Sequence, residues 1–253
     1  MSGWLFLLAI AAVPAEALSV ATWNIHKGAG WKKLERELAG PLKSSDILLL
    51  QEVLTKDEGQ QGLKIARLHG AQVVVAGRDV IITRLPLVAT GQLLINPTTR
   101  RHGAWATLRM GEQQLRVYSL HLSYKVKRSP FIPEVRDGEM ARVLAHAKSF
   151  SGPVIIGGDL NTVGWFVCCS ADEVLLQRLK SAGYQSAVSG APGRTHHLAG
   201  RTDWIFTKGL VAESALRGPY AGSDHRWVRS TLRIPARGAA QQGRAAGTRE
   251  KVK

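Results

Sequence analysis

The chain has 253 residues, of which 45% are hydrophobic, and its 34 Lys and Arg against 19 Asp and Glu give a formal charge of +15. That apolar content excludes wholesale disorder and is enough for one large domain. So basic a balance points to anionic partners (nucleic acid, anionic lipid or phosphate-bearing substrates) and says nothing of fold.

The first element is an apolar run of ten, Trp4 to Val13, followed by the small-x-small triplet Ala15-Glu16-Ala17. The run is shorter than the ~20 residues a membrane-spanning helix needs. Residues 1–17 are therefore predicted to be a signal peptide cleaved after Ala17, although no Lys or Arg precedes the apolar run. Export, to a periplasm or out of the cell, is the expectation.

Apolar runs of strand length then recur at 19–25, 46–53, 71–76, 79–83, 87–95, 104–109, 115–122, 153–158, 202–207 and 226–234. Several are continuous, as in Ile47-Leu48-Leu49-Leu50, which suits strands covered on both faces. Helices are predicted at 31–39, stopped by Gly40-Pro41, at 134–150, and at 171–182, where Ser170 and Glu173 have capping-box spacing and Gly183 ends the run. Many strands, few helices and no repeat predict a layered α/β domain. Composition does not break within 18–235, so this is taken as one domain. Residues 236–253 carry five basic and one acidic residue and no large aliphatic cluster, and are predicted to be a disordered basic tail. The two cysteines, Cys168 and Cys169, are adjacent. Their Cα atoms, ~3.8 Å apart, are too close for an ordinary disulfide.

Polar residues stand at the ends of several of these runs. "GGDLNT" (157–162) offers Asp159 and Asn161 two apart, so on one side of an extended chain, behind two glycines that would leave room for a ligand. A turn would explain the same letters. "ATWNIH" ends in Asn24 and His26, "DILLLQEV" in Gln51 and Glu52; "VYSLHLS" carries His121, "RTDWIF" Asp203 and "SDHRW" Asp224 beside His225. Taken singly, an Asn or His there is an ordinary satisfied polar group, and Asp203 could pair with Arg201. Glu52 is harder to explain away. A carboxylate closing a buried run costs on the order of several kcal/mol unless something cationic meets it.

The ordered set is more specific than its members. "TWNIHKG", "LLLQEV", "GGDLNT", "RTDWIF" and "SDH", with "IITRLP" (81–86) between them, resemble in sequence and order the endonuclease/exonuclease/phosphatase superfamily of metal-dependent phosphoesterases, DNase I-like proteins. The resemblance covers about residues 19–234. It implies a four-layer α/β sandwich, two central mixed β-sheets flanked by helices. It also implies Mg²⁺-dependent phosphate-ester hydrolysis, with Mn²⁺ or Ca²⁺ as other options. Glu52, Asn24 and Asp224 would be the metal ligands, through oxygen donors suited to a hard cation; no His/Cys cluster at zinc spacing is present. Asp159 would hold or deprotonate the attacking water, Asn161 orient it and touch phosphate, and His225 stabilise the phosphate with Asp203 on its other ring nitrogen. His121 would be a second imidazole on the phosphate or leaving group. Arg84 and Tyr118 are carried over as substrate-binding residues. Ser119 departs from the family, which often has Asn there. His196-His197 are left out of the site as solvated loop residues.

Fold and catalytic set do not choose the substrate. The charge, with Arg100-Arg101 and the run Lys125-Val126-Lys127-Arg128, favours nucleic acid. A phospholipid or sphingomyelin phosphodiesterase is the alternative, with Gly164-Trp165-Phe166-Val167 as its one stretch for membrane contact. A catalytically silent binder of anionic polymers or membranes is the reading from another class. A monomer is the expected state.

Overall fold

The computed structural model describes residues 17–54, 60–124, 132–162 and 169–235. The leader up to residue 16, Lys125 to Arg128, Gly164 to Cys168 and the basic tail lie outside the described residues.

The first sheet is built from β1 (Leu18–Asn24), β2 (Ile47–Gln51), β3 (Gln72–Ala76), β4 (Asp79–Thr83), β11 (Val211–Arg217) and β12 (Val228–Arg233), in the order β11-β12-β1-β2-β4-β3. The second holds β5 (Leu87–Asn96), β6 (Arg101–Met110), β7 (Gln113–His121), β8 (Val154–Asp159), β9 (Gln185–Ser186) and β10 (Asp203–Lys208), in the order β5-β6-β7-β8-β10-β9. Both sheets are mixed: β1 runs parallel to β2 and β7 parallel to β8, and the other pairs are antiparallel.

Side-chain alternation explains the continuous apolar runs. In β2, Ile47 and Leu49 face the second sheet, while Leu48 and Leu50 face α1 (Trp31–Ala39) and α2 (Gln60–His69). In β7, Leu115 and Val117 point inward, and Tyr118 and Leu120 point to α3 (Ile132–Lys148) and α4 (Cys169–Ser181). Three apolar layers result, one between the sheets and one beneath each helical pair. Each fully buried Leu or Ile in them contributes about 1.5–3 kcal/mol. This is the expected four-layer α/β sandwich.

Among the described residues, one α-helix and two strands escaped the sequence reading, α2, β9 and β11, as did a short 3-10 turn at His26–Gly28. The buried stripe of α2 is Gly62, Ile65, Ala66 and His69, helical in spacing but with only one large aliphatic residue. β11 is an edge strand, mostly exposed and bulged between Ala212 and Ser214, so it has little apolar signal. α4 begins at Cys169, which puts Ser170 inside its first turn rather than at the predicted cap.

Candidate active site

The two parallel pairs end side by side. β1 and β2 finish at Asn24 and Gln51, and β7 and β8 at His121 and Asp159. Antiparallel β10 begins at Asp203, in register with Asp159. Along β1, β7, β8 and β10, the residues Asn24, His121, Asp159 and Asp203 continue the inward rows occupied lower down by Val20, Val117, Ile155 and Ile205. The site is therefore the polar lid of the core between the sheets.

Asp159 is almost wholly buried at its centre. Its Oδ2 accepts from Asn24 Nδ2 at 3.0 Å and lies 3.6 Å from both His121 Nε2 and His225 Nε2. Its Oδ1 accepts the backbone N–H of Asn161 at 3.0 Å. Asn161 has a left-handed backbone, φ 50°, which Asn tolerates, and its side-chain Nδ2 donates to the Leu122 carbonyl at 2.9 Å. Asn161 thus holds Asp159 through its main chain, while its side chain is bonded to the Leu122 carbonyl.

His225 Nδ1 meets Asp203 Oδ2 at 2.8 Å. Thr202 Oγ1 also donates to that oxygen, and Thr195 Oγ1 accepts the N–H groups of Thr202 and Asp203. Arg201, the alternative partner for Asp203, reaches the Val188 carbonyl and stacks over Trp204 instead. Burial opposes charge on His225, but Asp203 and Asp159 outweigh it and lift the imidazole to about 10. His121 behaves oppositely. Burial dominates the attraction of Asp159 and lowers it to about 4, so its ring is neutral at pH 7. Two imidazoles on one carboxylate therefore carry different charges.

Glu52 follows β2 with φ 54°, a turn that swings it out of the strand row into a cleft of about 460 Å³. Its Oε1 lies 3.4 Å from Asn24 Nδ2, and among the described residues it has no cationic partner. A half-buried carboxylate without a counter-charge is what a hard divalent ion with a largely aqueous shell requires. The other two expected ligands are placed differently. Asn24 directs Nδ2 at both carboxylates, while its Oδ1 accepts the His26 N–H at 3.0 Å. Asp224 is held by imidazoles, with His26 Nδ1 at 3.0 Å and His196 Nε2 at 3.7 Å. Burial works against its charge, yet these histidines and His225 keep its pKa well below the usual carboxylate range.

Among the described residues two groups could hold an ion by spacing, His196-His197-Asp224 and Asp159-Asp203-His225. Their protons argue otherwise. His196 Nδ1 accepts the N–H groups of Leu198 and Ala199 at 3.1 and 2.8 Å, so its neutral ring carries hydrogen on Nε2, where a ligand would need a lone pair. His225 is cationic. In both groups the imidazoles and carboxylates are paired with one another, whereas Glu52 has no cationic partner among the described residues.

Two sequence-predicted residues are not brought to the site. Arg84 follows β4, which runs antiparallel to β2, so it stands at the opposite end of the sheet and caps the His69 and Lys43 carbonyls. Tyr118 is fully buried on the outward row of β7, its hydroxyl 2.8 Å from His146 Nδ1. The glycines of "GGD" leave no room for a ligand either. A Cβ on Gly158 would sit 1.9 Å from the Leu120 carbonyl oxygen, and one on Gly157 2.5 Å from Leu49. They serve close packing.

Conversely, His196 was set aside yet pairs in a β-bridge with His225, its ring edge-on at 4.7 Å. Asp79 was also missed, and Arg101, read as half of a basic pair for nucleic acid, is committed to the main chain beside it. Asp79 Oδ2 accepts the His121 N–H at 3.0 Å, and Arg101 donates to the His121 and Leu122 carbonyls. Together they fix the end of β7. An Asp opening the apolar run of β4 was the available signal. Ser119, in place of the family's Asn, accepts from Gln51 Nε2 at 3.0 Å and donates to the Leu50 carbonyl, tying the sheets beneath the site.

The chain and its fold have counterparts. A UPF0294 protein of Vibrio vulnificus strain CMCP6 is 25% identical over 233 residues, covering 87% of this chain and 78% of its own length. The crystal structure of an endonuclease/exonuclease/phosphatase from Beutenbergia cavernae superposes with a TM-score of 0.72 at 18% identity, over 87% of this chain and 72% of that one. ANGEL2, described as a 2′,3′-cyclic phosphatase and solved with adenosine-2′,3′-vanadate, gives 0.66 at 16% identity over 88% and 97%. The model of the Endonuclease/Exonuclease/phosphatase family matches residues 21–225, from β1 to His225. The chain, with its polar lid assembled from both sheets, belongs to that family of phosphoester hydrolases.

Proposed function

We propose that the protein is a Mg²⁺-dependent phosphodiesterase, exported, acting on nucleic acid. The observation that carries the reading is the pair of imidazoles 3.6 Å from one buried carboxylate, beside a carboxylate without a counter-ion among the described residues. Glu52 would hold the ion; a bound divalent cation would neutralise charge on the phosphate oxygens. Asp159 takes a proton from the attacking water at Oδ2, the oxygen that His121 Nε2 and His225 Nε2 both approach to 3.6 Å. His225, cationic, offers Nε2–H to phosphate oxygens as charge grows, and Asp203 holds its ring and its proton. His121, neutral, presents Nε2 to the same space as a donor without adding charge. Asn24 aligns Asp159 and Glu52 through one amide group. The net +15 supports a polyanionic substrate. For export, cleavage after Ala17 would leave Leu18, the first residue of β1, at the start of the mature chain.

The test is hydrolysis of plasmid DNA, RNA, sphingomyelin and a small aryl phosphodiester, with Mg²⁺ and with chelator. Chelator-sensitive turnover of the aryl ester and of nucleic acid is expected. Asp159→Ala and His225→Ala should abolish it with the fold intact, and Glu52→Gln should raise the Mg²⁺ needed for half-maximal rate by roughly tenfold or more. Wild-type turnover in the Asp159 and His225 variants, or a preference for sphingomyelin, would overturn the assignment.

A further inference from the structure

The cleft into which Glu52 and His121 project extends past the catalytic cluster, and its far walls have a composition the chemistry above does not use. Arg78 stands in the turn between β3 and β4, Arg100 in the turn between β5 and β6, and Lys27 after β1. All three are exposed, and among the described residues none has an acidic or hydrogen-bonding side-chain partner. Arg101, by contrast, is committed to two carbonyls. Tyr124, 62% exposed, completes the lining. Three cations from three separate turns are left uncompensated around one concavity, next to a bare aromatic ring.

We infer that this cleft is a subsite for one nucleotide of a single strand, next to the scissile phosphate: Lys27, Arg78 and Arg100 meet its phosphate and Tyr124 stacks its base. The inference rests on the proposed phosphodiesterase reading and narrows its substrate. Cations tracking a backbone with an aromatic platform for the base are the chemistry of single-strand recognition. At about 460 Å³ the cleft has the size of a small-molecule site. It admits one splayed nucleotide, whereas in a duplex the bases are stacked inside and cannot reach Tyr124. A lipid headgroup would bring one phosphate and no flat ring, leaving most of this lining without a role.

The experiment compares kcat/KM for oligo(dT), oligo(rU), a blunt DNA duplex of equal length and a bis-aryl phosphodiester, in wild type, the Arg78→Ala/Arg100→Ala double variant and Tyr124→Ala. Single strands should be cut faster than the duplex. Each variant should lower the ratio of single strand to aryl ester by roughly tenfold. Because each cation adds about 0.7 to the log–log salt slope on a single strand, the double variant should flatten that slope by about 1.4. Equal cutting of duplex and single strand, or an unchanged ratio and slope in both variants while the aryl ester is hydrolysed, overturns the inference alone. Failure of the wild type on every phosphodiester removes the parent reading and the inference with it.

Discussion

At the scale of single residues the site depends on how two carboxylates, Asp159 and Asp203, share two imidazoles, His121 and His225. Asp203 gives His225 its charge, so Asp203→Asn should lower the His225 pKa from about 10 and cut kcat by roughly 10²–10³-fold. An NMR titration of the His225 ring, with kcat measured alongside, checks both; an unmoved pKa would assign the charge to Asp159 alone. His121 makes a contribution of opposite sign. Its folded pKa, about 4, lies below the unfolded value of 6.5. The unfolded chain therefore binds the proton first as pH falls, and stability drops from pH 6.5 toward 4 by up to about 3 kcal/mol. Urea midpoints at pH 7 and 4.5 should lie closer together in His121→Asn than in wild type. Residues at this scale were legible where the chain made them anomalous. Glu52, a carboxylate closing an apolar run, has a physical cost visible in the letters, whereas His121, Asp159 and Asp203 each had an ordinary reading alone and stood out only through the order of the motifs. His196 had neither: its role comes from a backbone bridge to His225 formed across a loop. Arg84 and Tyr118 misled because a motif gives neither strand direction nor the face on which a side chain lands.

At the scale of elements, strand alternation explains both the successes and the misses. β2, β7 and β8 were readable because both their faces are apolar. α2 was not, because glycine, alanine and histidine fill three of its four buried positions. The end of β8 shows how tightly these elements meet. Gly158 has φ 144° and lies against the Leu120 carbonyl of the neighbouring parallel strand. Gly158→Ala should cost several kcal/mol, on the order of 3 or more, since the obstruction is backbone and cannot rotate away. Gly157→Ala, opposed by a flexible Leu49 side chain, should cost less. Thermal melts of the two variants decide this, and equal losses would mean that the strands separate freely.

For the whole molecule, the four-layer plan followed from the apolar runs and the ordered motifs, while the pairing order, the edge strands and the cleft did not, because they depend on contacts between distant segments. The sheets are joined under the site by Gln51 and Ser119. Ser119→Ala leaves the buried Gln51 amide without that acceptor and should lower stability by about 1–3 kcal/mol, read from urea unfolding. Asn24 and His225 come with the first sheet, and Asp159, Asp203 and His121 with the second. Neither half owns a working centre. A slip of about 1 Å between them would leave secondary structure and compactness untouched yet cost on the order of 10²-fold in rate. Turnover is thus a finer gauge of the molecule's alignment than any spectrum, and inhibitors that wedge the two halves apart need never touch the reacting atoms.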